Sequence, residues 1–206
     1  MGFWHIALVV NVLASPPPPK PVKFDFRDLG ARNIAYFVSD SLFEKVIGVS
    51  SAVSGWAELD SRRMMESLRG EVQIDTRSFQ TGLEARNERL REKLLSPVAL
   101  ASYKIERASH LSRKTLEGKE PISARIEGVL TFRGKSHPQT ALAKFTYLPE
   151  SDSTRLRISG NLLRVSVSLD IDVQDFDLTL SATEQLFYNR YIQISVDLLG
   201  TDNPPA

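Results

Sequence analysis

The chain contains no cysteine, which excludes a disulfide scaffold, a thiolate zinc centre and a thiol nucleophile. It also lacks an excess of either charge: Lys and Arg number 26, Asp and Glu 25, for a net charge of +1. A protein that neutralises many phosphates at once carries a clear basic surplus, so nucleic acid is not an expected partner. Histidine is scarce, and His110 and His137 sit apart in polar turns without metal-ligand spacing. The chain has no glycine-rich phosphate loop, no strand-helix-strand rhythm and no Gly-x-Ser-x-Gly elbow, which removes the P-loop, Rossmann and hydrolase-elbow readings. No catalytic constellation and no metal set emerges, and the chain is not read as an enzyme.

What remains is 206 residues, 42% of them hydrophobic, enough for one large domain with a sizeable core and too apolar for a disordered tail. Phe3 to Leu13 is apolar apart from His5 and Asn11 and ends in Val12-Leu13-Ala14, the small-residue spacing of a signal-peptidase site. Residues 1–14 therefore read as a signal peptide, with a buried N-terminal strand or helix as the alternative. The run is shorter than the about 20 residues that span a bilayer, and stable membrane insertion is not expected. Residues 15–21, Ser-Pro-Pro-Pro-Pro-Lys-Pro, form an extended proline-rich spacer. A domain over 22–200 and a short tail over 201–206 complete the division.

Beyond the spacer the apolar residues recur at period 2. Val22, Phe24 and Phe26 alternate with charged residues, while the stretch around Ile34, Tyr36 and Val38 is apolar on both faces. Val72 with Ile74, Tyr103 with Ile105, Ile126 to Phe132 and Ala141 to Tyr147 continue the alternation. Leu156 with Ile158, Leu163 to Ile171, Phe176 to Leu180 and Ile192 to Leu198 extend it to the C-terminus. Such patterns are strand signals. One-sided strands in this number, joined by turns such as Gly134-Lys135 and Gly160-Asn161, predict an all-β antiparallel sheet that packs on another sheet or closes into a barrel, which removes its edges.

One segment has a different period. Residues 83–95 place Leu83, Leu90 and Leu94 on one stripe among charged neighbours, and Pro97 stops the run, which predicts an amphipathic helix. It would serve as a lid over one barrel end or as a surface connection. Its arginines lie among Glu84, Glu88 and Glu92, so a charge-balanced face is one reading. The other is a head-group site, because the guanidinium fork suits phosphate or carboxylate; Arg86, Asn87 and Arg91 are the candidates. The Asp170/Asp172 and Asp175/Asp177 pairs read as solvated decoration ahead of a calcium site.

Three blocks resemble the YceI-like family. Ser78-Phe79-Gln80-Thr81-Gly82, with Arg86-Asn87 and Leu90-Arg91, is similar to its Ser-hydrophobic-x-Thr turn leading into a helix. Val46-Ile47-Gly48-Val49-Ser50 with Gly55-Trp56 resembles its second hairpin, and Gly128-Val129-Leu130-Thr131-Phe132-Arg133-Gly134, with Pro138 following, its Gly-x-Leu-Thr-x-x-Gly strand. The blocks come in family order within Val22 to Leu199. Two positions depart from the pattern: Arg32-Asn33-Ile34 stands where His-Ser is common, and Asn87 replaces the commoner Asp.

The resemblance implies an extended, lipocalin-like antiparallel barrel of about eight strands, periplasmic or secreted, whose cavity holds a polyisoprenoid or an isoprenoid quinone. Alternation then nominates Ile34, Tyr36, Val38, Val72, Ile74, Leu130, Phe132, Val165, Val167, Ile194 and Val196 as cavity lining. The expected function is non-enzymatic binding, carriage or storage of an apolar lipid. The alternative is a filled barrel acting through its surface, with Trp56 and Phe187-Tyr188 as a homodimer contact.

Overall fold

A long run of one-sided strands leaves an apolar face that must be covered, and here the chain covers it by closing. The computed structural model describes residues 20–27, 30–94 and 98–204, without the side chains of 93 and 94. The expected signal peptide and residues 15–19 of the proline-rich spacer lie outside the described residues.

The described strands are β1 (Val22–Asp25), β2 (Ile34–Asp40), β3 (Lys45–Ser50), β4 (Val53–Leu59), β5 (Arg69–Asp75), β6 (Leu100–Ser109), β7 (Ile122–Phe132), β8 (Lys135–Leu148), β9 (Leu162–Asp172) and β10 (Tyr191–Thr201). They form one antiparallel sheet in the order β1-β4-β5-β6-β7-β8-β9-β10-β2-β3, and the pairing of β1 with β10 closes it. Both β1 and β2 lie along β10, and β4 and β3 lie along them in turn. Each of these pairs is one bent stave, so the ring has eight staves. The bend has a cause in the register: Asp25 faces Trp56 and Ala35 faces Ser50, so residues 26–34 stand against only 51–55. Asn33 bridges this surplus. Its buried Nδ2 donates to the Phe26 carbonyl at 2.8 Å, and its Oδ1 accepts the Leu199 N–H at 2.8 Å. Those bonds satisfy backbone groups that the shifted ladder leaves open.

The two barrel ends differ. At one, the short helix α1 (Met64–Ser67) and the β6–β7 connection bring Met64, Leu68 and Leu116 into the core cluster that also holds Phe24, Ile122 and Leu163, all almost fully buried. Asp60 secures this plug, accepting the Arg62 N–H at 2.9 Å and Arg63 Nε at 3.0 Å. At the other end stand the β2–β3, β5–β6, β7–β8 and β9–β10 connections, and here the interior is not filled.

Two expected strands are not strands. Leu156 is 91% exposed and follows a short helix, α2 (Asp152–Arg155), whose start is fixed by reciprocal Ser151–Thr154 bonds. Phe176, Leu178 and Leu180 are buried in alternation, but they belong to a 3₁₀ turn (Val173–Phe176) and the loop after it, with Asp177 in the left-handed region. This segment alternates because it lies across the open end, not because it pairs. Conversely, β3 and the first half of β4 lack a clean period-2 signal. The helix expected over 83–95 runs from Glu84 to Arg89 and continues as a π turn over Leu90–Leu94. Leu83 precedes it and is 54% exposed, whereas Leu90 is buried. Among the described residues no helix is long and apolar enough to cross a membrane.

Candidate ligand cavity

Residues directly opposite in an antiparallel ladder share a face, so the registers define the inner wall. Ala143, Val167, Val196 and Ala35 form one rung across β8, β9, β10 and β2. Leu169, Ile194 and Phe37 form the next, and Val72, Tyr103 and Leu130 line the opposite side on β5, β6 and β7. These rungs enclose a cavity of about 160 Å³. It runs from Phe26, Phe145 and Leu198 near the plugged end to Phe79, Leu90, Leu180 and Tyr188 at the open one. One water-sized sphere needs roughly 10–15 Å³ by this measure, so the space takes on the order of ten such groups. An eight-stave ring is wide enough to hold one slender ligand.

Of the residues nominated from the sequence, Val72, Ile74, Leu130, Phe132, Val165, Val167, Ile194 and Val196 stand in this wall. Ile34, Tyr36 and Val38 do not: Ala35 pairs with Val196 and Phe37 with Ile194, which turns the three outward. The reason is that β2 is apolar on both faces, so alternation carried no sign for which face is inside. Phe37 fills the place instead, packing edge-on against Phe79 with centroids 5.2 Å apart. Phe79 and Leu90 also escaped nomination, although both stand in the Ser78–Arg91 block that carried the family resemblance.

That block builds the cover. Gln80 exchanges backbone hydrogen bonds of 2.9 Å with Val49 on β3. Asn87 is 2% exposed; its Oδ1 accepts from the N–H and hydroxyl of Thr81 at 2.9 and 2.7 Å, and its Nδ2 donates to Gln80 and Glu84 at 2.7 and 3.1 Å. Arg86 donates to the Thr81 hydroxyl at 2.9 Å and to the Thr81 carbonyl at 3.0 Å, and pairs with Glu44. Arg91 reaches Glu84 at 3.0 Å. The Asn87 amide and then Arg91 hold the Glu84 carboxyl below the usual carboxylate range. The three expected head-group residues thus bind the lid to itself and to the barrel, and none of them belongs to the cavity wall.

The use of Asn87 as a double donor explains why this chain has an amide there. Aspartate cannot donate to Gln80 or Glu84 and would set a second carboxylate against the first. Asn87→Asp is expected to lower unfolding stability by about 1–3 kcal/mol, the usual cost of stranding buried partners. Urea denaturation at neutral pH measures this, and an unchanged midpoint would refute the bonding scheme.

Two further contacts shape the wall. The Tyr103 ring crosses β7 over Gly128, and its hydroxyl donates to the carbonyls of Gln139 at 2.9 Å and Ile126 at 3.1 Å. Burial pushes this phenol well above its ordinary pKa. Across the open end, Asp172 pairs with Arg190, and that hydrogen bond holds its carboxyl low. Asp177 pairs with Lys135 at 2.9 Å.

The family model of the YceI-like domain matches residues 28–199. Among solved structures, BcnA from Burkholderia cenocepacia has a TM-score of 0.64 at 16% identity, covering 83% of this chain and 98% of its own. A polyisoprenoid binding domain from Saccharophagus degradans, implicated in plant cell wall breakdown, has a TM-score of 0.61 at 15% identity and covers 88% and 99%. The YCEI protein of Campylobacter jejuni has a TM-score of 0.62 at 15% identity, covering 86% and 94%. At these identities the likeness is one of fold. No curated protein matches the sequence.

Proposed function

The chain belongs to the YceI-like domain family, and on that premise we propose that it is a non-enzymatic carrier or store for one long apolar lipid, a polyisoprenoid or isoprenoid quinone, outside the cytoplasm. The observation that carries this reading is the cavity: a continuous apolar space between the plugged end and the stapled lid, lined by the inner faces of the staves. Each buried methylene contributes about 0.8 kcal/mol before ordering costs, so a chain in such a space needs few polar contacts. The shared fold with a domain described as polyisoprenoid binding supports the ligand class. The signal-like start at residues 1–14 supports export.

Native mass spectrometry of protein purified from its own cells, followed by organic extraction, tests the proposal. A co-purifying prenyl-chain lipid is the expected result; repeated absence of any lipid, with no uptake of added polyprenol, would sink the carrier reading.

A second reading draws on the surface. Leu42 and Phe43 on the β2–β3 turn and Leu186 and Phe187 on the β9–β10 connection are exposed side by side, with Phe43 and Phe187 centroids 6.1 Å apart. A homodimer through this patch makes the sedimentation coefficient rise with concentration, and Phe43→Asp removes that rise. Trp56 instead lies beneath Lys23, whose Nζ is 4.9 Å from the ring centroid.

A further inference from the structure

The carrier reading leaves the Ser39 hydroxyl in the cavity wall without a role. Ser39 lies on the inner face of β2, two residues beyond Phe37, is 1% exposed and forms part of the wall at the open end. Its Oγ accepts the Asn189 N–H at 2.8 Å. Among the described residues nothing accepts the proton of the Ser39 hydroxyl. Its neighbours in the wall are already committed: Asn189 donates to the Asp40 carbonyl at 2.7 Å and accepts the Tyr191 N–H at 2.9 Å, and Thr76 donates to the Ala99 carbonyl at 2.7 Å. The Tyr103 proton is likewise held by carbonyls.

A buried hydroxyl with a free donor is destabilising until an acceptor reaches it. A trapped water serves poorly, because a buried water needs two to four polar partners, and the cavity wall is overwhelmingly apolar, with Phe37, Phe79 and Leu90 among its side chains. The charges nearby point the same way. Arg86, Arg91, Lys135 and Arg190, which stand at this end, are each paired with a carboxylate of the chain itself. An anionic head group drawn to any of these four would have to break its pair.

We propose that the Ser39 hydroxyl is the head-group subsite, donating a hydrogen bond to an uncharged acceptor oxygen at one end of the bound chain. The ligand class is then a long apolar chain ending in a carbonyl or similar neutral oxygen, seated tail first, with its polar end under the lid. This inference rests on the carrier reading, and its test separates the two.

The probes are a tetraprenyl methyl ketone, the tetraprenyl hydrocarbon of the same chain and the corresponding prenyl phosphate, each delivered from cyclodextrin to the full chain. The wild type is expected to bind the ketone roughly 3- to 10-fold more tightly than the hydrocarbon, the ratio of one neutral hydrogen bond. Ser39→Ala is expected to erase that ratio, whatever its effect on hydrocarbon affinity itself, and Ser39→Thr, which keeps the donor, to restore it. The infrared carbonyl band of the bound ketone should shift to lower frequency in the wild type and not in Ser39→Ala. Equal binding of ketone and hydrocarbon by the wild type, or a ratio that survives in Ser39→Ala, overturns the subsite and leaves the carrier reading standing. Tightest binding by the phosphate overturns the neutral class. Failure of all three to bind overturns both readings.

Discussion

Val167→Trp is expected to abolish lipid uptake while leaving the barrel folded. Val167 sits at the centre of the rung that joins Ala143 on β8 to Val196 on β10, and it borders the cavity rather than neighbouring side chains alone. An indole placed there projects into existing space, so the overpacking cost of about 1–3 kcal/mol that follows insertion into a filled core largely does not arise. The ligand, in contrast, loses the middle of its path. If half of a chain on the order of ten methylene-sized groups is shut out at about 0.8 kcal/mol each, the loss is about 4 kcal/mol, or roughly 10³-fold in affinity. Displacement of a fluorescent polyene, read beside the thermal transition, measures both quantities. Unchanged uptake by a folded Val167→Trp protein would place the lipid outside the barrel and favour the surface reading.

The experiment can be designed at all because much of the wall was readable from residue order. On β9, Leu163, Val165, Val167, Leu169 and Ile171 alternate with polar residues, and every polar neighbour marks the outer face. On β2 the same rule fails, since Ile34, Tyr36 and Val38 alternate with Ala35 and Phe37 and both sets are apolar. Only the long-range register against β10 decides between them. The Phe176–Leu180 segment shows a different limit: its alternation reports burial faithfully, but a period of 2 says nothing about whether a backbone is paired.

Bent staves are harder still. The surplus of residues 26–34 over 51–55 depends on which strands meet, and Asn33, which fills it, looks like an ordinary loop residue. The Ser78–Arg91 block was legible as a motif and misleading as chemistry. Arg86 and Arg91 suggest an anion site, yet their charges are spent on Glu44 of the β2–β3 turn and on Glu84 of the lid itself. The hydroxyl of Ser39, by comparison, had no sequence signal, because a serine inside a strand is noticed only when its surroundings prove to be apolar.

Gly128→Ala is expected to lower the melting temperature by roughly 6–12 °C. A β-carbon at Gly128 would lie 2.3 Å from the Lys104 carbonyl oxygen and 3.0 Å from Cζ of Tyr103. The oxygen belongs to the backbone of β6 and cannot swing aside, so β6 and β7 must part. They would do so beside the register shift between Ile105 and Arg107, where the ladder is already interrupted. Overpacking of this kind costs about 1–3 kcal/mol, and the displaced Tyr103 hydroxyl forfeits about 1 kcal/mol more. A loss near 3 kcal/mol corresponds to roughly 2–4 °C per kcal/mol in a domain of this size. Tyr103→Phe isolates the hydroxyl and should reproduce only the smaller part. Truncating the ring in Gly128→Ala/Tyr103→Ala should not rescue the fold, because the clash with the Lys104 oxygen remains. The same displacement carries the ring into the cavity, so uptake should fall together with stability. A Gly128→Ala transition within about 2 °C of the wild type would mean that the two strands can separate at little cost. The wall at Tyr103 would then be compliant, and the cavity dimensions would be set by the ligand rather than by the sheet.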